Sequence, residues 1–254
     1  MNRIDPLKTF LFRCRYGFRG APVQVHGETF FLDESLRRWK VAGEDWMLEV
    51  MQSRLCRGDD VVDVGANFGL HTLSAANLVG ERGRVLAFEP IPANLELLWR
   101  NLRLNRLERR VTVAPQALSD SDEALLEMHY VPGEPDLTAS LRPGPGSPQT
   151  IRVMNSRLDA YAFPEGFSSR LIKIDVEGAE LSVLRGARET LRLFHPLLLV
   201  KVHGFALPAF GESVATLESF LEEMGYQQIA SRPINADRQD HFHALYQSLP
   251  TAPN

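Results

Sequence analysis

The chain has 254 residues, 44% of them apolar and 24% charged, which is ordinary for a folded protein and enough for a self-sufficient core. Its formal net charge of −4 argues against a nucleic-acid partner, because phosphate contacts call for a basic surface. The two cysteines, Cys14 and Cys56, form no metal motif or disulfide framework and are expected to be reduced; Met1 to Arg19 lacks a signal peptide's apolar core, and no run reaches membrane-span length, so a cytoplasmic protein without a membrane partner is expected.

In chain order, residues 1–57 differ from the rest of the chain. Gly27 to Leu32 reads as a strand, and Glu44 to Leu55 carries apolar residues at helical spacing. This region is expected to form a small N-terminal cap on a main domain covering 58–254. From Asp59 onward strand and helix alternate. Val61 to Val64 predicts a strand, Leu70 to Val79 a helix stopped by Gly80, and Arg84 to Phe88 a second strand. Pro92 opens a helix that reaches Leu107, and Val111 to Val113 begins a third strand.

Leu125 to Val131 and Thr150 to Leu158 are expected to form a hairpin around a Pro/Gly-rich loop at 132–149. Leu171 to Asp175 is the fourth strand, Ala179 to Phe194 a helix, and Pro196 to Val202 the fifth strand. Ser213 to Met224 reads as a helix, and Tyr226 to Ala230 with Phe242 to Tyr246 as two closing strands. Alternation of this kind implies a mostly parallel sheet with helices on both faces. The last two strands suggest an antiparallel edge.

The turn Asp63-Val64-Gly65-Ala66-Asn67-Phe68-Gly69 joins the first of these strands to its helix. Glycines let the backbone turn sharply and approach a ligand, and the helix start presents unpaired N–H groups. A dinucleotide fingerprint needs G-x-G-x-x-G. Starting from Gly65, its other glycine positions hold Asn67 and Leu70, so that reading fails. Glu89 ends the next strand, where a carboxylate can accept hydrogen bonds from both hydroxyls of a ribose.

Five segments, in order, are similar to the FkbM family of class I S-adenosylmethionine-dependent methyltransferases. They are Asp63 to Gly69, Ala87-Phe88-Glu89-Pro90, Asn101 to Asn105, Ala117 to Asp120, and Ile172 to Glu180. The resemblance implies a Rossmann-like α/β fold and S-adenosylmethionine as cofactor. It also implies O-methylation of a hydroxyl on a small molecule such as a natural product or sugar. By the same resemblance Asp63, Gly65, Asn67 and Gly69 contact or shape the methionine and ribose side, Glu89 holds the ribose, and Gln116, Ala117 and Leu118, ending the third strand, border the adenine. Asp175 and Glu177 lie beside the methyl group. The family commonly has a Glu shortly before a His at the end of the fifth strand, and here Lys201 precedes His203 in that place.

A hydroxyl nucleophile must lose a proton, so a base is needed near the methyl group. Asp175, Glu177 and His203 are the candidates, with Asp175 first because it ends a strand in the crevice. The same three could hold a divalent metal, but no tight ligand spacing supports one and none is assigned. His241 and His243 are expected on a solvated or cross-strand-paired face. His71 is given no role. Methylation of nucleic acid or protein, and a non-catalytic scaffold that binds the cofactor, are the alternatives. Oligomeric state is open, a homodimer included.

Overall fold

The computed structural model describes residues 20–37, 39, 41, 44–130, 149–235 and 237–249. Most of the loop at 132–149, and Cys14, lie outside them; Cys56 is an exposed free thiol. The chain opens with a hairpin, β1 (Ala21–Val25) and β2 (Glu28–Leu32), then α1 (Asp45–Arg54). The alternating part continues as β3 (Asp60–Val64), α2 (Leu70–Val79), β4 (Arg84–Phe88), α3 (Pro92–Leu104) and β5 (Val111–Ala114). Three short strands come next, β6 (Gln116–Leu118), β7 (Leu125–Tyr130) and β8 (Gln149–Ser156). The chain then forms β9 (Ser169–Ile174), α4 (Glu180–Arg185), α5 (Arg188–Phe194), β10 (Leu197–His203), α6 (Val214–Glu223), β11 (Tyr226–Asn235) and β12 (Arg238–Ser248).

The central sheet has seven strands in the order β11-β12-β10-β9-β3-β4-β5. The strands from β10 to β5 are parallel, and β12 enters antiparallel between β10 and β11. The expected mostly parallel sheet with an antiparallel C-terminal edge is therefore present. Its two closing strands are longer than their apolar cores alone suggested.

Neighbouring residues along each strand serve opposite faces. Val61, Val85, Leu171 and Leu199 pack on one side with the hairpin, α1, α2 and α3. Val62, Leu86, Ile172 and Leu198 pack on the other with α4, α5 and α6. Strands buried on both faces read as continuous apolar runs, and every residue of β3 is buried.

Two sequence expectations change. The third strand ends at Ala114; Gln116 to Leu118 form β6, which belongs to a separate three-stranded sheet, β6-β8-β7. The expected hairpin is the β7–β8 pair of that sheet, with Tyr130 opposite Gln149. The long helix 179–194 is in fact two, broken at Gly186. Only glycine fits at the break. A Cβ at 186 would overlap the carbonyl oxygen of Ser119, which crosses there on its way out of β6.

Two asparagines near the end of α3 tie the hairpin down. Asn105 accepts the Phe31 N–H at 2.8 Å and donates to the Phe31 carbonyl at 2.7 Å, replacing a strand neighbour for β2. Asn101 accepts from the Asp33 N–H at 2.7 Å and donates to the Phe68 carbonyl at 2.7 Å. The hairpin and the glycine turn are thus held by one side chain.

Gly186→Ala should lower stability by about 1–3 kcal/mol, the usual cost of overpacking a closed site. Urea unfolding checks this, and an unchanged midpoint would rule out the clash.

Candidate active site

From β3 the chain builds the sheet first towards β5, then returns to build it the other way through β9 and β10. Helices α2 and α4 leave on opposite faces, which opens a crevice between the carboxyl ends of β3 and β9. Gly65 (φ +76°) and Asn67 (φ +53°) turn the chain there in the left-handed region, and Gly69 (φ +96°) starts α2. Gly65 is obligatory, since a Cβ would strike the Asp175 carbonyl.

Glu89 is only 4% exposed. Its Oε2 accepts the Asn67 N–H at 2.8 Å, and its Oε1 accepts the Ile91 N–H at 2.8 Å and the Asn94 amide at 3.3 Å. Burial pushes its carboxyl up to about 7, against the pull of the Ile91 and Asn67 N–H groups. A cleft opens beside it, lined by Gly65, Asn67, Glu89, Ile91, Gln116, Ala117, Leu118, Met128, Asp175 and Glu177 among others. Of the residues expected around a cofactor, all but Asp63 and Gly69 line this cleft.

Asp63 lies beneath the turn. Its carboxylate meets the Lys173 ammonium at 3.0 Å and accepts the Thr72 hydroxyl at 2.6 Å. Lys173 in turn donates to the Gly65 carbonyl at 2.7 Å. Asp63 therefore shapes the turn through Lys173 and does not itself face the cleft. Lys173 was missed from the sequence, although a single cation inside the apolar run Leu171 to Ile174 signals a buried ion pair.

At the ends of β9 and β10 charge is concentrated. Asp175 Oδ2 lies 3.4 Å from Lys201 Nζ, which also reaches Glu44 Oε1 at 3.2 Å. His203 is 1% exposed, its Nδ1 donating to Glu180 Oε1 at 2.7 Å and its Nε2 3.4 Å from Glu177 and 3.8 Å from Asp175. Glu177 sits in the left-handed region at φ +52°, a strained conformation that places its carboxylate at the crevice.

These neighbours revise the assignment of a base. Burial alone would raise the Asp175 carboxyl, but Lys201, Lys173 and His203 outweigh it and hold it well below the usual carboxylate range. Such a group is a permanent anion and a poor proton acceptor. Burial alone would lower His203, but its hydrogen bonds to Glu177 and Glu180 raise it to about 10. It is an imidazolium at neutral pH and has no free lone pair for a substrate proton. Glu177 keeps its place beside both. Ligand atoms of Asp175, Glu177 and His203 lie within 4.8 Å of one another, a spacing compatible with a divalent cation, while Lys201 and the imidazolium already supply positive charge there.

Glu44 and His71, neither singled out as a site residue by the sequence, line a second cavity. Its wall includes Trp39, Phe68, Leu70 and Lys201, and it shares Gly65, Asn67, Asp175 and Glu177 with the first cleft. His241 and His243 are cross-strand paired, the first half-buried and the second buried. His243, opposite Lys201 in the ladder, is buried and stacks on Trp46 at 5.9 Å, and His241 leans on His203 at 5.0 Å.

Solved structures of similar fold include M. jannaschii TYW2 in complex with AdoMet, which has a TM-score of 0.50 and 17% identity over 90% of this chain and 86% of that one. The fold and the crevice thus define a Rossmann-like, class I methyltransferase architecture. The chain belongs to the FkbM methyltransferase domain family, whose model matches residues 63–227. It is 31% identical over 158 residues to methyltransferase sdnD of Sordaria araneosa, covering 51% of this chain and 60% of that protein's length. Methyltransferase 1 of Beauveria bassiana is 26% identical over 192 residues, 68% of this chain and 74% of that one. Among the described residues no helix is long and apolar enough to cross a membrane.

The His203 assignment carries a pH signature. Its folded pKa is above its ordinary value, so its stabilisation is full below about 6.5 and is lost as pH rises through about 10. The stability gap between the wild type and His203→Asn should therefore shrink as pH rises across that window. A gap independent of pH in chemical denaturation would show that the imidazole is not charged.

Proposed function

We propose that the protein transfers a methyl group from S-adenosylmethionine to a hydroxyl group of a small molecule. The observation that carries this reading is the meeting of two cavities at Gly65, Asn67, Asp175 and Glu177. Bound in the first, the cofactor would place its ribose against Glu89 and its adenine against Gln116, Ala117, Leu118 and Ile91. The acceptor would enter from the second, so that methyl group and nucleophile face each other across the shared residues.

The cofactor supplies an electrophilic methyl carbon, and the protein's task is mainly alignment. The left-handed turn at Gly65 and Asn67 keeps side-chain atoms out of the space the cofactor needs. The carboxylates of Asp175 and Glu177 at the junction suit a cationic sulfonium. The strain at Glu177 and the pairing of Asp175 with Lys201 fix where those charges sit. Membership of the FkbM family and the AdoMet held by the TYW2 neighbour support the choice of cofactor. The second cavity, where Trp39 and Phe68 stand beside charged groups, and the net charge of −4 support a small acceptor over a nucleic acid.

Calorimetric titration with S-adenosylmethionine and S-adenosylhomocysteine tests the cofactor. Glu89→Ala should weaken binding more than about tenfold, or ~1.4 kcal/mol, because it removes the ribose acceptor and releases Asn67 and Ile91. Unchanged affinity would remove Glu89 from the site. Formation of S-adenosylhomocysteine with a panel of hydroxylated acceptors tests the reaction, and cofactor binding without turnover would favour a scaffold.

A further inference from the structure

The second cavity holds a pair of polar atoms that the fold leaves unsatisfied. His71 Nε2 and Glu44 Oε2 are buried and have no hydrogen-bond partner among the described residues. They lie 3.5 Å apart, beyond good hydrogen-bond geometry. His71 is 6% exposed, in the first turn of α2, so the glycine turn that shapes the cofactor cleft also fixes its position. Buried polar atoms of this kind are costly unless something completes them. The wall carries Lys173, Asp175, Glu177 and Lys201 on one side and an apolar patch of Trp39, Phe68 and Leu70 on the other, with Trp39 set edge-on to Phe68 at 5.0 Å.

We infer that the second cavity takes an aromatic hydroxyl, and that the Glu44–His71 pair receives its proton as the methyl group arrives. The inference rests on the reading of the two cavities given above. An oxygen lone pair forms the new O–CH3 bond, and the electron pair of the broken S–CH3 bond returns to sulfur. The hydroxyl proton passes to His71 Nε2. The imidazolium so formed lies beside the Glu44 carboxylate, which stabilises it until the proton exchanges with solvent.

Charge supports this role. Burial keeps the His71 imidazole below its ordinary pKa, and Lys173 on β9 acts the same way. Glu44, Asp63 and Asp175 pull it up, but by less. Lys201 on β10 sits on the other oxygen of Glu44, and His243 on β12 faces the same carboxylate. The net result is a neutral imidazole at neutral pH, ready to accept a proton, in contrast to His203. Proton affinity also selects the acceptor. A phenol ionises at about 10, far nearer the range of an imidazole than a hydroxyl resembling that of water, which sits near 16. The Trp39–Phe68 patch and an imidazole base therefore suit the same substrate class.

4-Nitrophenol is the probe, titrated into protein saturated with S-adenosylhomocysteine at a pH below the probe's own pKa. The wild type should bind it as the coloured phenolate. His71→Gln and Glu44→Gln should each raise the apparent pKa of the bound probe by about one unit or more. Their affinity for S-adenosylhomocysteine should stay within about threefold of the wild type. Failure of the probe to bind, while S-adenosylhomocysteine binds, would overturn the aromatic acceptor. An unshifted phenolate band in both variants would overturn the proton acceptor. A loss of S-adenosylhomocysteine affinity beyond about tenfold in His71→Gln would reassign the histidine to the cofactor. If the wild type binds no S-adenosylhomocysteine, the cofactor reading fails first and this one with it.

Discussion

The site hangs on one buried ammonium group. Lys173, 1% exposed, joins the Asp63 carboxylate at the end of β3 to the carbonyl of Gly65 in the turn above it. Withdrawing both charges from water costs several kcal/mol per ion, and only close pairing and further hydrogen bonds recover it. Here Thr72 completes Asp63 and the turn carbonyl completes Lys173. The interaction works less as a source of net stability than as a ruler. It sets the height of the glycine turn over the sheet and the separation of the two strand ends that form the crevice. Glu89 fixes the other side of the turn through the Asn67 N–H, so the loop is gripped from beneath and from one flank.

The fold was largely legible because its signals are short-range. Apolar runs gave β3, β4, β9 and β10, and glycines marked where they turn. The misread elements depended on contacts made far along the chain. Nothing local in Ala179 to Phe194 tells that the Ser119 carbonyl will press against Gly186. Nothing local in Gln116 to Leu118 tells that Met154 to Ser156 will be their partners. The lining of the first cleft was legible for the same reason as the strands, because a turn and the end of the next strand carry much of it. The protonation states were not. His203 is an imidazolium because Glu180 lies behind it, and Asp175 is a weak base because two lysines face it. The sequence shows those residues but not their juxtaposition.

Lys201 illustrates how a charge can move between chain positions while the site keeps it. Where the family resemblance leads one to expect a carboxylate, β10 carries an ammonium group. A carboxylate is nonetheless present within 3.2 Å of it, brought by Glu44 from the segment leading into α1. Asp175 on the other side makes a three-membered chain of alternating sign. Substituting Lys201 would therefore disturb both carboxylates at once, and its effects should not be added to theirs as if independent.

The hairpin and the residues leading into α1 are attached through Asn101 and Asn105, whose partners on that side are backbone groups of Phe31 and Asp33. Backbone contacts of this type do not depend on which side chains the hairpin carries. Trp39 and Glu44, which belong to this stretch, line only the second cavity, whereas the first cleft is built entirely from Val64 onward. The segment ahead of β3 thus supplies Trp39 and Glu44 to a cavity whose remaining walls come from Gly65 onward, and burial of Phe30, Leu32 and Leu36 in the core holds it in place. Exchanging those two side chains would reshape one mouth of the junction and leave the lining of the other untouched.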